Sequence, residues 1–125
     1  MDMFKPNRLV QEILVRSQEL GALKFGEFKL TAGGSSPYYF DGRLVTLDPK
    51  GAYLVSRAIL PTLRKSKAES VAGPAIAAIP MVAAITLLSH VENTPMNGLI
   101  VRTDPKTHGT RKLIEGTTVP GGNVA

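Results

Sequence analysis

The chain has 125 residues, of which 43% are hydrophobic and 20% charged, with a net charge of +5 and no cysteine. That is enough apolar material for a buried core, and it excludes a disulfide framework, thiolate catalysis and a zinc–thiolate site. Residues 1–6 lack the apolar run of a signal peptide, and the longest apolar stretch, residues 76–88, is interrupted by Pro80 and Thr86 and too short for a bilayer, so a cytoplasmic protein with no membrane partner is expected.

The apolar residues Leu9, Val10, Ile13, Leu14 and Leu20 recur at helical spacing over residues 7–20, and Gly21 follows as a stop. The period then changes. Residues 24–31 alternate, with Phe28 and Leu30 on one strand face and Lys29 and Thr31 on the other. Residues 32–37 read as a turn, and residues 38–43 as a second strand, antiparallel to the first. Tyr38 and Phe40 then share one face and Tyr39 takes the other, so the three aromatics cannot all be core.

Asp48-Pro49 reads as a helix cap followed by proline at the first helical position. Leu54, Val55, Ala58, Ile59 and Leu63 give that helix a core face, and Pro61 kinks or loosens its end. After a polar connection, residues 70–73 form a short strand, residues 80–90 an apolar, buried helix, and residues 96–101 a buried strand. This is a βαβ unit, with parallel strands and a right-handed crossover. His90 is read as a helix-end residue.

In open α/β sheets ligands bind beyond the carboxyl ends of the strands. One loop leaving such an end is the small-residued segment 73–79, which leads into a helix start where backbone N–H groups can receive an anion. The other follows Val101 and carries Arg102, Lys106, Arg111 and Lys112 together with His108, one of only two histidines. Both loops should sit on the same sheet edge. The overall charge admits nucleic acid as a partner, but Trp is absent, the aromatics are four Phe and three Tyr, and no recognition-helix pattern occurs. A single basic loop suits a small phosphorylated substrate better than a duplex, so no nucleic-acid partner is expected.

Residues 115–122 are turn-rich, and residues 123–125 look like the first step of a further strand. A sheet with so few parallel strands rarely buries its faces. The sequence therefore reads as truncated before the later core strands, or as completed by a second chain.

Taken in order, these motifs resemble an orotate phosphoribosyltransferase, one of the type I phosphoribosyltransferases. Residues 25–33 resemble the first strand of the family's N-terminal hood, and residues 35–43 the segment against the orotate ring. Residues 73–80 resemble the loop after the first core strand. Residues 102–116 resemble the mobile catalytic loop and its return strand, closing on Gly109-Thr-Arg-Lys-Leu-Ile-Glu-Gly116. The resemblance implies an α/β fold with a parallel sheet and an N-terminal hood, within one incomplete domain: helix and hood in residues 1–47, the first part of the core in 48–125, and the mobile loop in 102–112.

It also implies transfer of a phosphoribosyl group from phosphoribosyl pyrophosphate (PRPP) to orotate. The products are orotidine monophosphate and pyrophosphate; the reaction uses Mg²⁺, in pyrimidine biosynthesis, by a homodimer with shared active sites. By resemblance Arg102, Lys106 and His108 meet the phosphates, and Tyr39 and Phe40 face the base. Arg43 meets a carboxylate or anchors the hood, and both readings stand open. The family often has Lys where this chain has Thr31, Ala77 and Thr103, and an acidic residue at Thr107; Lys29 is placed to compensate for Thr31. These departures motivate a second reading, a non-catalytic regulatory or ligand-binding domain of the same fold. The family's acidic pair and Thr/Gly-rich loop, which grip the ribose 5-phosphate, are not among these residues, so the chain as given is expected to be inactive.

Overall fold

The computed structural model describes residues 7–104, 108–109 and 112–125. The chain divides into two compact units, one ending at Leu54 and one starting at Val55.

The first unit opens with α1 (Arg8–Glu19). The Asn7 side chain caps it by accepting the Val10 amide at 2.9 Å, and Gly21, at φ +67°, takes the left-handed position after the last turn. The apolar period and its stop thus locate the helix correctly. β1 (Leu23–Lys29) and β2 (Ser35–Phe40) then pair antiparallel, as expected.

Their limits differ from the sequence reading, for local reasons. The Leu30 amide donates to the Gly34 carbonyl at 3.0 Å, with Gly33 and Gly34 at φ +95° and +83°. This reversal is tight, so Ser35, Ser36 and Pro37 belong to the strand and not to the turn. A bulge between Phe25 and Phe28, with Gly26 at φ +154°, breaks the simple alternation expected over residues 24–31. Leu30 and Thr31 lie past the strand end. Asp41, expected in a strand, instead caps a short helix, α2 (Gly42–Thr46), by accepting the Arg43 amide at 3.1 Å.

α3 (Pro49–Lys65) begins where the Asp-Pro pair predicts. Asp48 Oδ2 accepts the Gly51 amide at 2.8 Å, and the same carboxylate receives Arg16 Nε at 2.8 Å and Nη2 at 2.6 Å. With the Asp48 side chain only 10% exposed, this two-pronged pair ties α1 to the start of α3. The Arg16 hydrogen bonds, followed by the Gly51 amide, bring the Asp48 pKa down from 3.8 to about 2. Pro61 does not end the helix, which runs on to Lys65 and closes with Lys67 at φ +58° and the Ala68 amide on the Leu63 carbonyl at 3.2 Å.

The second unit is the expected βαβ arrangement: β3 (Ser70–Pro74), α4 (Ile79–Val91) and β4 (Asn97–Val101). β3 and β4 are parallel, Ser70 opposite Asn97 and Pro74 opposite Val101. β5 (Ile114–Glu115) returns antiparallel on β4, with Glu115 opposite Ile100. On the other side of β3, Val124 bridges Ser70 in parallel and the Ala72 amide donates to the Ala125 carbonyl at 2.8 Å, the expected first step of a further strand.

Leu60, Leu63, Val71, Val82, Ile85, Leu88 and Met96 form the buried cluster of this unit. α4 departs from the expectation of all-round burial. Val82, Ile85, Leu88 and Ser89 are buried, but Leu87 and Val91 are 67% and 64% exposed. A helix laid on two short strands covers one stripe of its surface, whatever its composition. Glu92, just past α4, accepts from Arg64 and from Arg57 on α3; the Arg64 bond, helped by the Arg57 charge, holds its carboxyl below the usual carboxylate range. No described helix is long and apolar enough to cross a membrane.

Asp48→Asn removes the charge partner of Arg16, and its effect should depend on pH. Because the folded pKa is depressed, the Asp48 contribution is complete above its ordinary value of 3.8 and disappears as the pH falls towards about 2. Thermal melts should show a midpoint several degrees below wild type at neutral pH and a gap that closes near pH 2. Coincident midpoints at neutral pH would mean that the pair contributes nothing.

Candidate functional site

Parallel pairing brings the exits of β3 and β4 to one edge, as the sequence reading requires. The Ala75 amide, one residue past β3, donates to the Val101 carbonyl at 2.8 Å and joins the exits directly. Beyond them opens a cleft of about 520 Å³. Small-molecule sites commonly occupy about 300–1,000 Å³. Ala75, Ile76 and Ile79 make an apolar wall, and Arg102, Thr103 and Asp104 a polar one. Ile100 on β4 and Glu115 on β5 complete the lining.

Two glycines let these walls form. A Cβ on Gly73 would lie 2.4 Å from the Ala78 Cβ, so the turn after β3 folds back onto its own strand. Gly116 has φ +113°, and a Cβ there would lie 2.4 Å from the Gly98 carbonyl oxygen. Only glycine lets the chain leave β5 so close to β4.

The start of α4 offers less to an anion than the sequence suggests. The Ala75, Ala78 and Ile79 amides already donate to the carbonyls of Val101, Pro74 and Ile76, and Pro80 has no N–H. Ala78 precedes the helix with no side-chain cap. Among the described residues, the positive charge lining the cleft is that of Arg102.

Arg102 leaves β4 with its backbone fixed, its amide donating to the Leu113 carbonyl at 2.8 Å. Its side chain is held loosely. Nε donates to the Asp104 carbonyl at 3.3 Å, and Nη1 lies 3.4 Å from Glu115 Oε1, with the two side chains 37% and 40% exposed. Such long, open contacts are weak and readily exchanged for a stronger acceptor. Among the described residues no three His, Asp or Glu side chains converge. Asp104 and Glu115 share the cleft with a guanidinium, so the protein groups present do not build a metal site of their own.

The other expected site residues are distributed as follows. His108 is exposed, and Lys106 lies outside the described residues. In the first unit, Lys29 is exposed at the end of β1, paired with Ser35. Tyr38, Tyr39 and Phe40 are each about half exposed (54%, 50% and 52%), so none of them is core. The Tyr39 ring is 5.8 Å from that of Phe28, tilted by 38°. Glu115 and Asp104 were not singled out from the sequence. By local pattern Glu115 reads as the start of a turn-rich stretch, whereas the resemblance puts it in the return strand after the mobile loop, which is where it lies, in β5 opposite Ile100.

No protein-family model matches the chain. Curated relatives do. The chain is 43% identical over 101 residues to the orotate phosphoribosyltransferase of a Nostoc species, covering 81% of this chain and 48% of that protein. Among solved structures, the orotate phosphoribosyltransferase of Mycobacterium tuberculosis superposes with a TM-score of 0.72 at 29% identity, covering 95% of this chain and 65% of that one. The same organism's enzyme in complex with 5-phospho-α-D-ribosyl 1-diphosphate (PRPP) gives 0.66 at 26% identity, covering 95% and 62%. The chain thus spans about half to two thirds of the length of the proteins it matches.

Gly73→Ala tests the packing of the cleft wall. The added methyl meets Ala78 at 2.4 Å with little room to give, so the substitution should cost about 1–3 kcal/mol of stability, read from chemical denaturation. Unchanged stability would show that the turn does not pack on β3 as described.

Proposed function

We propose that this chain, which belongs to the orotate phosphoribosyltransferase family and corresponds to the N-terminal part of its members, carries the pyrophosphate side of a phosphoribosyl-transfer site. The complete protein would transfer the phosphoribosyl group of PRPP to orotate, releasing pyrophosphate and forming orotidine monophosphate for pyrimidine synthesis. The observation that carries this reading is Arg102. It stands at the carboxyl end of a parallel core strand, in an open cleft, with only long and replaceable contacts on its guanidinium.

The chemistry suits that placement. As the bond from the ribose to the diphosphate breaks, negative charge collects on the leaving oxygens. A cation brought against that charge stabilises the transition state more than the ground state. Arg102 offers a planar fork of N–H donors that matches two phosphate oxygens at once. The apolar wall of Ala75, Ile76 and Ile79 would face the less polar side of the bound sugar. Lys106 and His108 are proposed to join Arg102 on the diphosphate, Lys106 as a point charge and His108 as a hydrogen-bond donor. Tyr39 and Phe40 would stack on the flat base, with Lys29 beside them. Mg²⁺ is proposed to enter already bound to the diphosphate, since the described residues build no cluster for it. Pairing of two copies with shared sites, and work in the cytoplasm, complete the proposal.

The 125 residues by themselves are expected to bind inorganic pyrophosphate. Calorimetric titration with inorganic pyrophosphate tests the binding half. Arg102→Ala should weaken it by about tenfold or more, the size of losing charge-assisted hydrogen bonds. An Arg102→Ala chain that binds as tightly as wild type would remove the residue from the site. Pyrophosphate formation from PRPP and orotate by a version of the protein that includes the family's acidic motif would exclude a purely regulatory domain.

A further inference from the structure

Arg102 and Glu115 line the same cleft but reach it from different strands: Arg102 from the end of β4, Glu115 from β5. The Glu115 backbone is held in the sheet opposite Ile100, and the next residue, Gly116, passes 2.4 Å (measured from an added Cβ) from the Gly98 carbonyl. The backbone that carries this carboxylate is therefore anchored in the sheet. Its contact with Arg102 is single, 3.4 Å long and about 40% exposed. The chain shows what a closed Arg–carboxylate pair looks like elsewhere: Arg16 grips Asp48 with two bonds of 2.8 and 2.6 Å, and the Asp48 side chain is 10% exposed. Compared with that pair, Arg102 and Glu115 are close enough to neutralise each other and too open to lock.

We propose that Glu115 is an exchangeable counter-ion of Arg102. It holds the guanidinium in the cleft until a diphosphate takes its place, and its negative charge then stands beside the bound anion. This rests on the reading of Arg102 as a pyrophosphate ligand. Glu115 is a positioning residue that acts through Arg102, and its effect is to limit how firmly the site retains pyrophosphate. Like charges this close to an open surface repel appreciably at low salt and much less once the medium screens them.

The test uses the full 125-residue chain with inorganic pyrophosphate as the probe, in wild type, Glu115→Gln, Glu115→Asp and Arg102→Gln, each checked for folding by circular dichroism. Glu115→Gln should bind about fivefold more tightly than wild type at low ionic strength, the upper range for an exposed ion pair, and lose that advantage as salt is raised. Glu115→Asp, which keeps the charge but withdraws it by a methylene, should fall between the two. The Arg102 Nε–Hε resonance should move on Glu115→Gln substitution alone, and in wild type on adding pyrophosphate. An unchanged or weaker affinity in Glu115→Gln, with wild type binding and Arg102→Gln not, would overturn the counter-ion role and leave the pyrophosphate site standing. Absence of binding in every variant, wild type included, would overturn both.

Discussion

The candidate site depends on the parallel pairing of β3 with β4. With Pro74 opposite Val101, both strands end at one level, and the segments that leave them are forced to meet. An antiparallel pair would send the basic segment out at the opposite edge, away from the turn before α4. The crossover helix keeps this register because it sits hard on both strands. A Cβ on Gly73 would lie 2.4 Å from Ala78, and a Cβ on Gly98 would lie 2.5 Å from Thr86 Oγ1. The return into β4 is fixed as well. Ser89 is fully buried, and its hydroxyl accepts the Met96 amide at 2.9 Å. The position of Arg102 follows from these contacts, before any side-chain chemistry is considered.

The ionic contacts of the chain divide by purpose. Asp48 is enclosed by Arg16 and a backbone amide, and its depressed pKa expresses how completely the ionised form is satisfied. Glu92 is gripped by arginines from α3 and joins that helix to the end of α4. These pairs hold elements in place. The Arg102–Glu115 contact is longer and more open, and it lies in a cleft instead of between helices. Such loose pairing is what the proposed exchange of one anion for another at Arg102 requires.

Much of this was legible from residue types and spacing, because the controlling forces are local. Asn7 and Gly21 mark the ends of α1, Asp48-Pro49 starts α3, and the apolar strand–helix–strand pattern of residues 70–101 gives the parallel unit and the edge where a ligand should bind. The errors arose where a local signal was ambiguous or a contact was distant. Asp41 suits a strand by its aromatic neighbours but caps a helix, since its side chain reaches the Arg43 amide. A tight reversal at Gly33 and Gly34 moved the start of β2, and the bulge near Gly26 broke the alternation of β1. The helix start before α4 looks open to anions in sequence, yet the amides of Ala75, Ala78 and Ile79 are engaged by carbonyls, one of them from β4. The return strand that carries Glu115 is signalled by the family resemblance and not by any local pattern, because its pairing with β4 is a long-range contact.

The proposed function stands or falls with an anion site built around Arg102 at the edge formed by β3 and β4. Its most direct test is residue-by-residue mapping of backbone amide shifts as inorganic pyrophosphate is added to the chain. Saturable shifts are expected to concentrate at Ala75, Ile76, Ile79, Arg102, Thr103 and Glu115, which line the cleft. Shifts confined to the exposed basic end of α3, around Lys65 and Lys67, or spread evenly over surface lysines, would contradict it.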